Sequence, residues 1–357
     1  MTLHKFYLFS KFKMTIECLE RAGIDGKDIQ IISNLYWHQK AAIKVGQDIS
    51  EYTEIHRRVR QGCVLSPYLF NIYTEFIFRE SKDLTGVNIG GMNINNLRYA
   101  DDTVLMANSK EDLKALVQVV KHHSREAGLE MNAKKTKTMV FSKSPEPPKA
   151  EVTIDNIEVE QVKRFKYLGA TTTEDARSDT EINIRMCIAK EKFSEMKKIL
   201  TSKQLSLELR KKMLNCYIYS VFMYGAETWT ITKAIERKIN AMEMWCLRRM
   251  GRISWKELKT NKEVCKLLKT QPTLLNKIKS RKLAYFGHTK RHNSICKMLL
   301  EGKIEGKRAR GRQRAIWTDN IREWTSATLS QCTESARNRE RWRVITRQPL
   351  SQRRHTR

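Results

Sequence analysis

Residues Leu97–Ala107, reading LRYADDTVLMA, constrain the chain more than any other stretch. Leu97 and Tyr99 precede the adjacent acids Asp101 and Asp102, and Val104, Leu105 and Met106 follow them. Strand, tight polar turn, strand predicts a β-hairpin, and Asp is a common turn residue. Such a turn brings two carboxylates together on a stiff support. A cation relieves their repulsion. Hard carboxylate oxygens suit Mg²⁺, which takes one or two of them and keeps waters and substrate phosphates as its other ligands. Two such metals roughly 3.5–4 Å apart can hold the attacking and leaving oxygens of a phosphoryl transfer. An ordinary hairpin with an acidic tip is the competing reading of the same residues.

The charge balance narrows the class of partner. Among 357 residues, 68 are Lys or Arg and 39 are Asp or Glu, for a net charge of +29. A pI near 9.9 on a chain of this length argues for a polyanion, and nucleic acid fits best. No long basic amphipathic helix or membrane-spanning apolar run argues for a membrane. The residues MTLHKFYLFSKFK hold too short an apolar run for a secretory signal, so a reduced, intracellular protein is expected. None of the eight cysteines forms a C-x-x-C pair, and most fall on helical patterns where a buried free thiol is expected. His288, His292 and Cys296 recur every fourth residue, so a continuous helix would set them on one face as metal ligands; no fourth ligand is evident.

The hydrophobic periodicity predicts helices from Met14 and over 29–36, with a turn at Gly23–Gly26 between them. A hairpin is expected around Gly46. Ser66–Pro67 reads as a helix start, a hydroxyl N-cap followed by proline. Ser109–Asp112 reads as another, with Gly128 ending that helix. Residues 143–150, KSPEPPKA, read as a connector, and 151–170 as two short strands. Helical stripes follow: Ile182, Met186, Ala189, Phe193, Met196 and Leu200; then Leu209, Met213 and Cys216; then Ile235, Ile239 and Met242. Near the end, Trp317, Ile321 and Trp324 form a core-facing stripe. The arginine run before it, with Arg308, Arg310, Arg312 and Arg314, reads as phosphate-contacting or as a solvated segment.

Arg60–Pro67 reads RQGCVLSP and is followed by YLFNIYTEFIF; with YADD at this separation, these residues resemble a reverse transcriptase palm. The likeness is to non-LTR (LINE-type) retrotransposon enzymes, in particular the endonuclease–reverse transcriptase open reading frames of animals, and runs from about Met14 to about Trp342. It implies an α+β fold: a palm with an antiparallel sheet backed by helices, then an all-α thumb and a basic helical C-terminal region. The expected divisions are an atypical N-terminus (1–13), a partial palm (14–170), a thumb (171–251) and the C-terminal region (252–357).

By the same resemblance, Asp101 and Asp102 are catalytic metal ligands for Mg²⁺, and Tyr99 lies beneath the incoming nucleotide or primer end. Gln61 and Gly62 track template and nucleotide; a glycine there permits close backbone approach. Asn132, Lys135 and Thr136 match the next palm motif, in which Lys135, or Lys134 by register, is the general acid for pyrophosphate. Tyr167, Leu168 and Gly169 match the hairpin that supports the primer. The implied activity is RNA-directed DNA synthesis from dNTPs on an RNA template and DNA primer, with nuclear residence.

Two departures stand out. The family's first palm aspartate belongs just before the helix at Met14, where FYLFSKFK holds no acid. Arg58 stands where the family usually has glycine. The resemblance therefore implies an amino-terminally truncated palm without that ligand, without the fingers and without the upstream endonuclease. Little or no DNA synthesis by this chain alone is expected, because losing one member of a catalytic unit costs orders of magnitude in rate. The alternative expectation is a non-catalytic nucleic-acid-binding remnant of a decayed element.

Overall fold

The computed structural model describes residues 3–4, 12–37, 39–55, 62–142, 146–302 and 314–347. It divides between Lys163 and Arg164 into two compact units.

In the first unit, strand β1 (Leu3–His4) precedes helices α1 (Phe12–Arg21) and α2 (Gly26–Tyr36). A nested pair of hairpins follows: β2 (Gln39–Ala41) pairs with β5 (Thr53–Ile55) around β3 (Lys44–Val45) and β4 (Asp48–Ile49), the inner turn falling at Gly46 as expected. Helix α3 (Ser66–Arg79) then leads to β6 (Val87–Ile89), β7 (Met92–Ile94), β8 (Asn96–Tyr99) and β9 (Asp102–Leu105). Helix α4 (Lys110–Glu126), β10 (Glu130–Met131), β11 (Thr153–Ile154) and β12 (Ile157–Glu158) complete the unit. One apolar face of α3 (Phe70, Tyr73, Ile77, Phe78) meets one of α4 (Leu116, Val117, Val120), and Met131, Val152 and Ile154 close the core. Burying each large apolar side chain contributes about 1.5–3 kcal/mol. Helix α4 starts as its sequence dictates, with the Asp112 N–H donating to Ser109 Oγ at 3.0 Å.

The start of α3 differs from expectation. Leu65 is the N-cap, and Ser66 lies inside the helix. The Ser66 hydroxyl is buried against Tyr36 Oη at 3.1 Å instead of capping. The single antiparallel palm sheet is also not formed among the described residues. Their strands make separate two-stranded antiparallel pairs, and of these the pair between β1 and β10 joins the segments furthest apart in sequence. Most of these pairs are hairpins closed by a two-residue turn. Gly90–Gly91 and Asp155–Asn156 both place their two turn residues at positive φ, as tight hairpins require.

The second unit opens with the hairpin β13 (Arg164–Tyr167) and β14 (Ala170–Thr173). Residues 151–173 thus hold four strands rather than ending in the second of two. Helices α5 (Asp179–Glu195), α6 (Lys197–Leu200), α7 (Leu207–Met213), α8 (Ser220–Phe222) and α9 (Lys233–Met250) follow, with a π-helical segment at Leu214–Tyr219. Then come α10 (Asn261–Leu267), α11 (Leu274–Arg291), α12 (Ile295–Glu301), α13 (Trp317–Thr325), α14 (Leu329–Arg337) and α15 (Arg339–Arg347). One continuous core runs from Ile182 to Trp342, so the helices on either side of Gly251 share it. The predicted stripes supply that core, including Ile182, Ala189, Ile235, Ile239 and Ile321.

Glu243 and Lys282 are two of the charges buried in this bundle. Glu243 accepts the N–H groups of Thr273 and Leu274 at 2.8 and 3.1 Å, capping the start of α11 from a neighbouring helix. Burial raises its carboxyl, against the pull of those two N–H groups. Lys282 is fully buried on α11. Its ammonium donates to Trp229 O and Asn320 Oδ1, both at 2.7 Å, and stands 4.7 Å from the Trp317 ring centroid. Of the tryptophans of α13, Trp324 is therefore a core residue, as its spacing predicts, and Trp317 packs half-buried against the core.

Among the described residues, no helix is long and apolar enough to cross a membrane. Cys18, Cys246, Cys265 and Cys332 are buried, but Cys187, Cys216 and Cys296 are exposed and Cys63 is half-buried, so burial holds for half of the thiols. The His288–His292–Cys296 face is not continuous. Helix α11 ends at Arg291 and α12 begins at Ile295, so the chain turns between the second and third members.

Candidate functional site

The acidic hairpin is β8–β9, in register Leu97 with Val104 and Tyr99 with Asp102. Ala100 and Asp101 form the two-residue turn. Ala100 is left-handed at φ 50, a conformation costing an L-residue about 1–2 kcal/mol. Strain of this kind at a tight turn is kept where the surroundings impose it. The strand alternation buries Thr103, leaves Asp101 and Asp102 half-buried, and leaves Tyr99 two-thirds exposed.

The hairpin is held to α3 by Arg98. Its guanidinium meets Glu75 at 2.5 Å and covers the Phe78 ring at 4.8 Å. Burial raises the Glu75 carboxyl, but hydrogen bonds and charge from Arg98 and Lys82 outweigh it and hold the group below its usual range. Helix α4 packs against both β9 and β10. The strand that follows the acidic tip and the strand that precedes Asn132 thus both lie against one helix. In that segment Asn132 organises a turn: its side chain accepts the Lys135 N–H at 3.0 Å, and its carbonyl accepts the Thr136 N–H at 2.9 Å. Lys134 and Lys135 are both exposed on this turn.

The donor set bears on magnesium directly. Two adjacent, half-exposed carboxylates fit an ion that draws its remaining ligands from water and phosphate. Neither Asp101 nor Asp102 belongs, among the described residues, to a converging group of three or more His, Cys, Asp or Glu ligands. The group that does converge is His122, His123 and Glu126 on the exposed side of α4.

The other expected site residues are distributed as follows. Gly62 is left-handed at φ 79, and among the described residues a Cβ there would meet nothing within 4 Å. The left-handed conformation by itself favours glycine here. Gln61, Arg58, Arg308, Arg310 and Arg312 lie outside the described residues, and Arg314 is exposed. Tyr167, Leu168 and Gly169 belong to the second unit. Leu168 and Gly169 form the β13–β14 turn, at φ 46 and 79.

That turn is fastened by residues the sequence did not single out. Tyr224 Oη donates to Leu168 O at 2.7 Å. Arg185 donates to Gly169 O and, through Nε, to Glu181 Oε1 at 2.6 Å. The second Glu181 oxygen accepts the Thr171 N–H at 2.8 Å. The guanidinium also lies 4.4 Å from the Tyr224 ring centroid. The signal that could have found this was the acid–base pair at i and i+4 on the first helix after the hairpin.

Residues 4–172 match the family model described as reverse transcriptase (RNA-dependent DNA polymerase). The chain is 25% identical over 275 residues to a putative uncharacterized transposon-derived protein of Caenorhabditis elegans, covering 73% of this chain and 98% of that one. It is 31% identical over 178 residues to the retrovirus-related Pol polyprotein from type-1 retrotransposable element R2 of Nasonia vitripennis, covering 47% of this chain and 17% of the polyprotein. It is 30% identical over 129 residues to the corresponding type-2 element R2DM polyprotein of Drosophila melanogaster, covering 34% of this chain and 12% of the polyprotein. The chain carries a reverse transcriptase domain. That domain is of the non-LTR retrotransposon kind. The match spans less than a fifth of either R2 polyprotein.

Proposed function

We propose that this chain engages an RNA template and a DNA primer, with the Asp101–Asp102 tip as the Mg²⁺-binding end of a nucleotidyl-transfer site. The observation that carries the reading is the β8–β9 hairpin, which presents two adjacent carboxylates within a reverse transcriptase domain. The net charge of +29 supports a phosphate-rich partner. In this reading Asp101 and Asp102 would hold divalent cations, which would supply charge stabilisation for the nucleotidyl transfer. Tyr99 supports the nucleotide or primer end, Lys135 protonates the departing pyrophosphate, and Gln61 with Gly62 follows the template. Tyr167, Leu168 and Gly169 support the primer strand. The divisions 14–170 as palm, 171–251 as thumb and 252–357 as basic helical region belong to the same proposal.

Two carboxylates neutralise two divalent ions poorly, so the second metal binds weakly and synthesis by this chain alone is slight. A second reading, a nucleic-acid-binding chain without catalysis, is favoured by FYLFSKFK, which holds no acid where the family's first palm aspartate belongs. The test is Mg²⁺-dependent primer extension by the purified chain on an RNA template, beside a binding titration at several salt concentrations. We expect binding that weakens steeply with salt, because each neutralised phosphate releases counterions, and little extension. Robust extension overturns the impairment; binding unchanged by a fourfold rise in salt overturns the nucleic-acid reading.

A further inference from the structure

Between α9 and α10 the chain makes a short excursion, residues 251–260, that holds a tryptophan and a leucine out into solvent. Trp255 is 79% exposed and Leu258 84% exposed. An indole left this open forgoes the burial that usually recovers its large apolar area.

The excursion is held by bonds at every step. The Ser254 N–H donates to Glu257 Oε1 at 2.7 Å, and Ser254 Oγ accepts the Lys256 N–H. The Thr260 N–H donates to Glu263 Oε2 at 2.6 Å, and Thr260 Oγ1 accepts the Glu263 N–H in return. Arg248, on α9, ties the loop down through Lys259 O and Asn261 Oδ1 at 2.8 and 2.9 Å. Arg252 Nε reaches Thr201 O at 2.9 Å. Leu258 is itself left-handed at φ 50, a conformation unfavourable to a residue of its kind.

The charges around this tip are one-sided. Residues 248–269 contain Arg248, Arg249, Arg252, Lys256, Lys259, Lys262, Lys266 and Lys269 against only Glu257 and Glu263. Both acids serve the loop's own capping boxes. Lys256, Lys262 and Lys266 are exposed and form no ion pair with a described residue. An aromatic face on a rigid support amid uncompensated lysines is what unpaired nucleic acid requires: cations for phosphate and a flat ring for a base.

We propose that Trp255, flanked by Leu258, is a stacking platform for an unpaired base of single-stranded nucleic acid bound along the basic α9–α10 edge. This deepens the nucleic-acid reading and rests on it. Lys256, Lys262 and Lys266 meet the phosphates on either side of the stacked nucleotide.

The test is a fluorescence-anisotropy titration of labelled 20-nucleotide oligo(dT) and oligo(U) with the full chain and three variants. Trp255→Ala is expected to bind about tenfold more weakly, the loss typical of one base–aromatic stack. Its salt slope and Tm should match wild type, since the ring touches neither phosphate nor core. Trp255→Phe should retain most of the affinity, whereas Trp255→Leu should bind as poorly as Trp255→Ala. Wild-type affinity in Trp255→Ala or Trp255→Leu overturns the platform while leaving the wider nucleic-acid reading intact. Failure of the wild-type chain to bind either oligonucleotide overturns both. Phosphatidylserine vesicles form the last arm: Trp255-dependent binding to them, with oligonucleotide binding indifferent to Trp255, also overturns the proposal.

Discussion

Replacing Arg185 by Met should destabilise the second unit by about 3–5 kcal/mol, the usual consequence of stranding one member of a buried ion pair. The geometry supports the upper half of that range. The side chains of Arg185 and Glu181 are only 10% and 7% exposed and meet at 2.6 Å. Methionine preserves much of the aliphatic stem but removes three interactions together: the Glu181 bond, the donation to Gly169 O and the charge over the Tyr224 ring. Glu181 would keep the Thr171 N–H and lose its counter-charge. For a unit of this size, a loss of that order lowers Tm by roughly 10 °C. Urea unfolding followed by circular dichroism measures it, with hydrogen exchange at residues 170–173 reporting the hairpin locally. The double variant Glu181→Met, Arg185→Met should recover much of the loss, since no buried charge is left unpaired. A cost below about 1 kcal/mol for Arg185→Met, or a double variant as unstable as the sum of the singles, would refute the reasoning.

Lys282 makes a pH prediction. Burial pushes its ammonium down to about 7, against about 10.4 for free lysine. Between those values the unfolded chain binds more protons than the folded one, so stability rises with pH across the window. The ring faces of Trp317 and Trp324 favour the charged form and moderate the effect. We expect a gain of about 2 kcal/mol from pH 7 to pH 9, read from urea midpoints and abolished in Lys282→Met; a slope that survives in that variant would assign it to another group. Replacing Arg308, Arg310, Arg312 and Arg314 together by Ala should flatten the salt dependence of nucleic-acid binding by about three logarithmic units per tenfold change in salt, and an unchanged slope would show that they do not touch phosphate.

How much of this was legible in the sequence depends on whether the cause was local. The Tyr99–Asp102 hairpin, the Ser109 cap and the stripe from Ile182 to Leu200 follow from neighbouring residues, and the structure contains them. Periodicity identifies an apolar face without naming its partner. It could not reveal that Ser66 serves Tyr36, or that Lys282 is enclosed by Trp229, Asn320 and two indoles. The turn at Leu168–Gly169 was readable as a hairpin. Its fastening by Arg185 and Tyr224 was not, because those contacts join residues 16 and 56 positions apart. The one-face arrangement weighed for His288, His292 and Cys296 does not form for a related reason: spacing assumes a continuous helix, and this one ends at Arg291.

The proposed grip of the Ala100–Asp102 tip on a divalent cation can be located directly. Substituting Fe²⁺ for Mg²⁺ and adding ascorbate and peroxide cuts a backbone near the bound metal, and mapping the fragments locates it. Cleavage is expected within residues 97–107 and should disappear in the double variant Asp101→Asn, Asp102→Asn. Cleavage confined to the neighbourhood of His122, His123 and Glu126, or cutting at the hairpin that persists in the double variant, would contradict it.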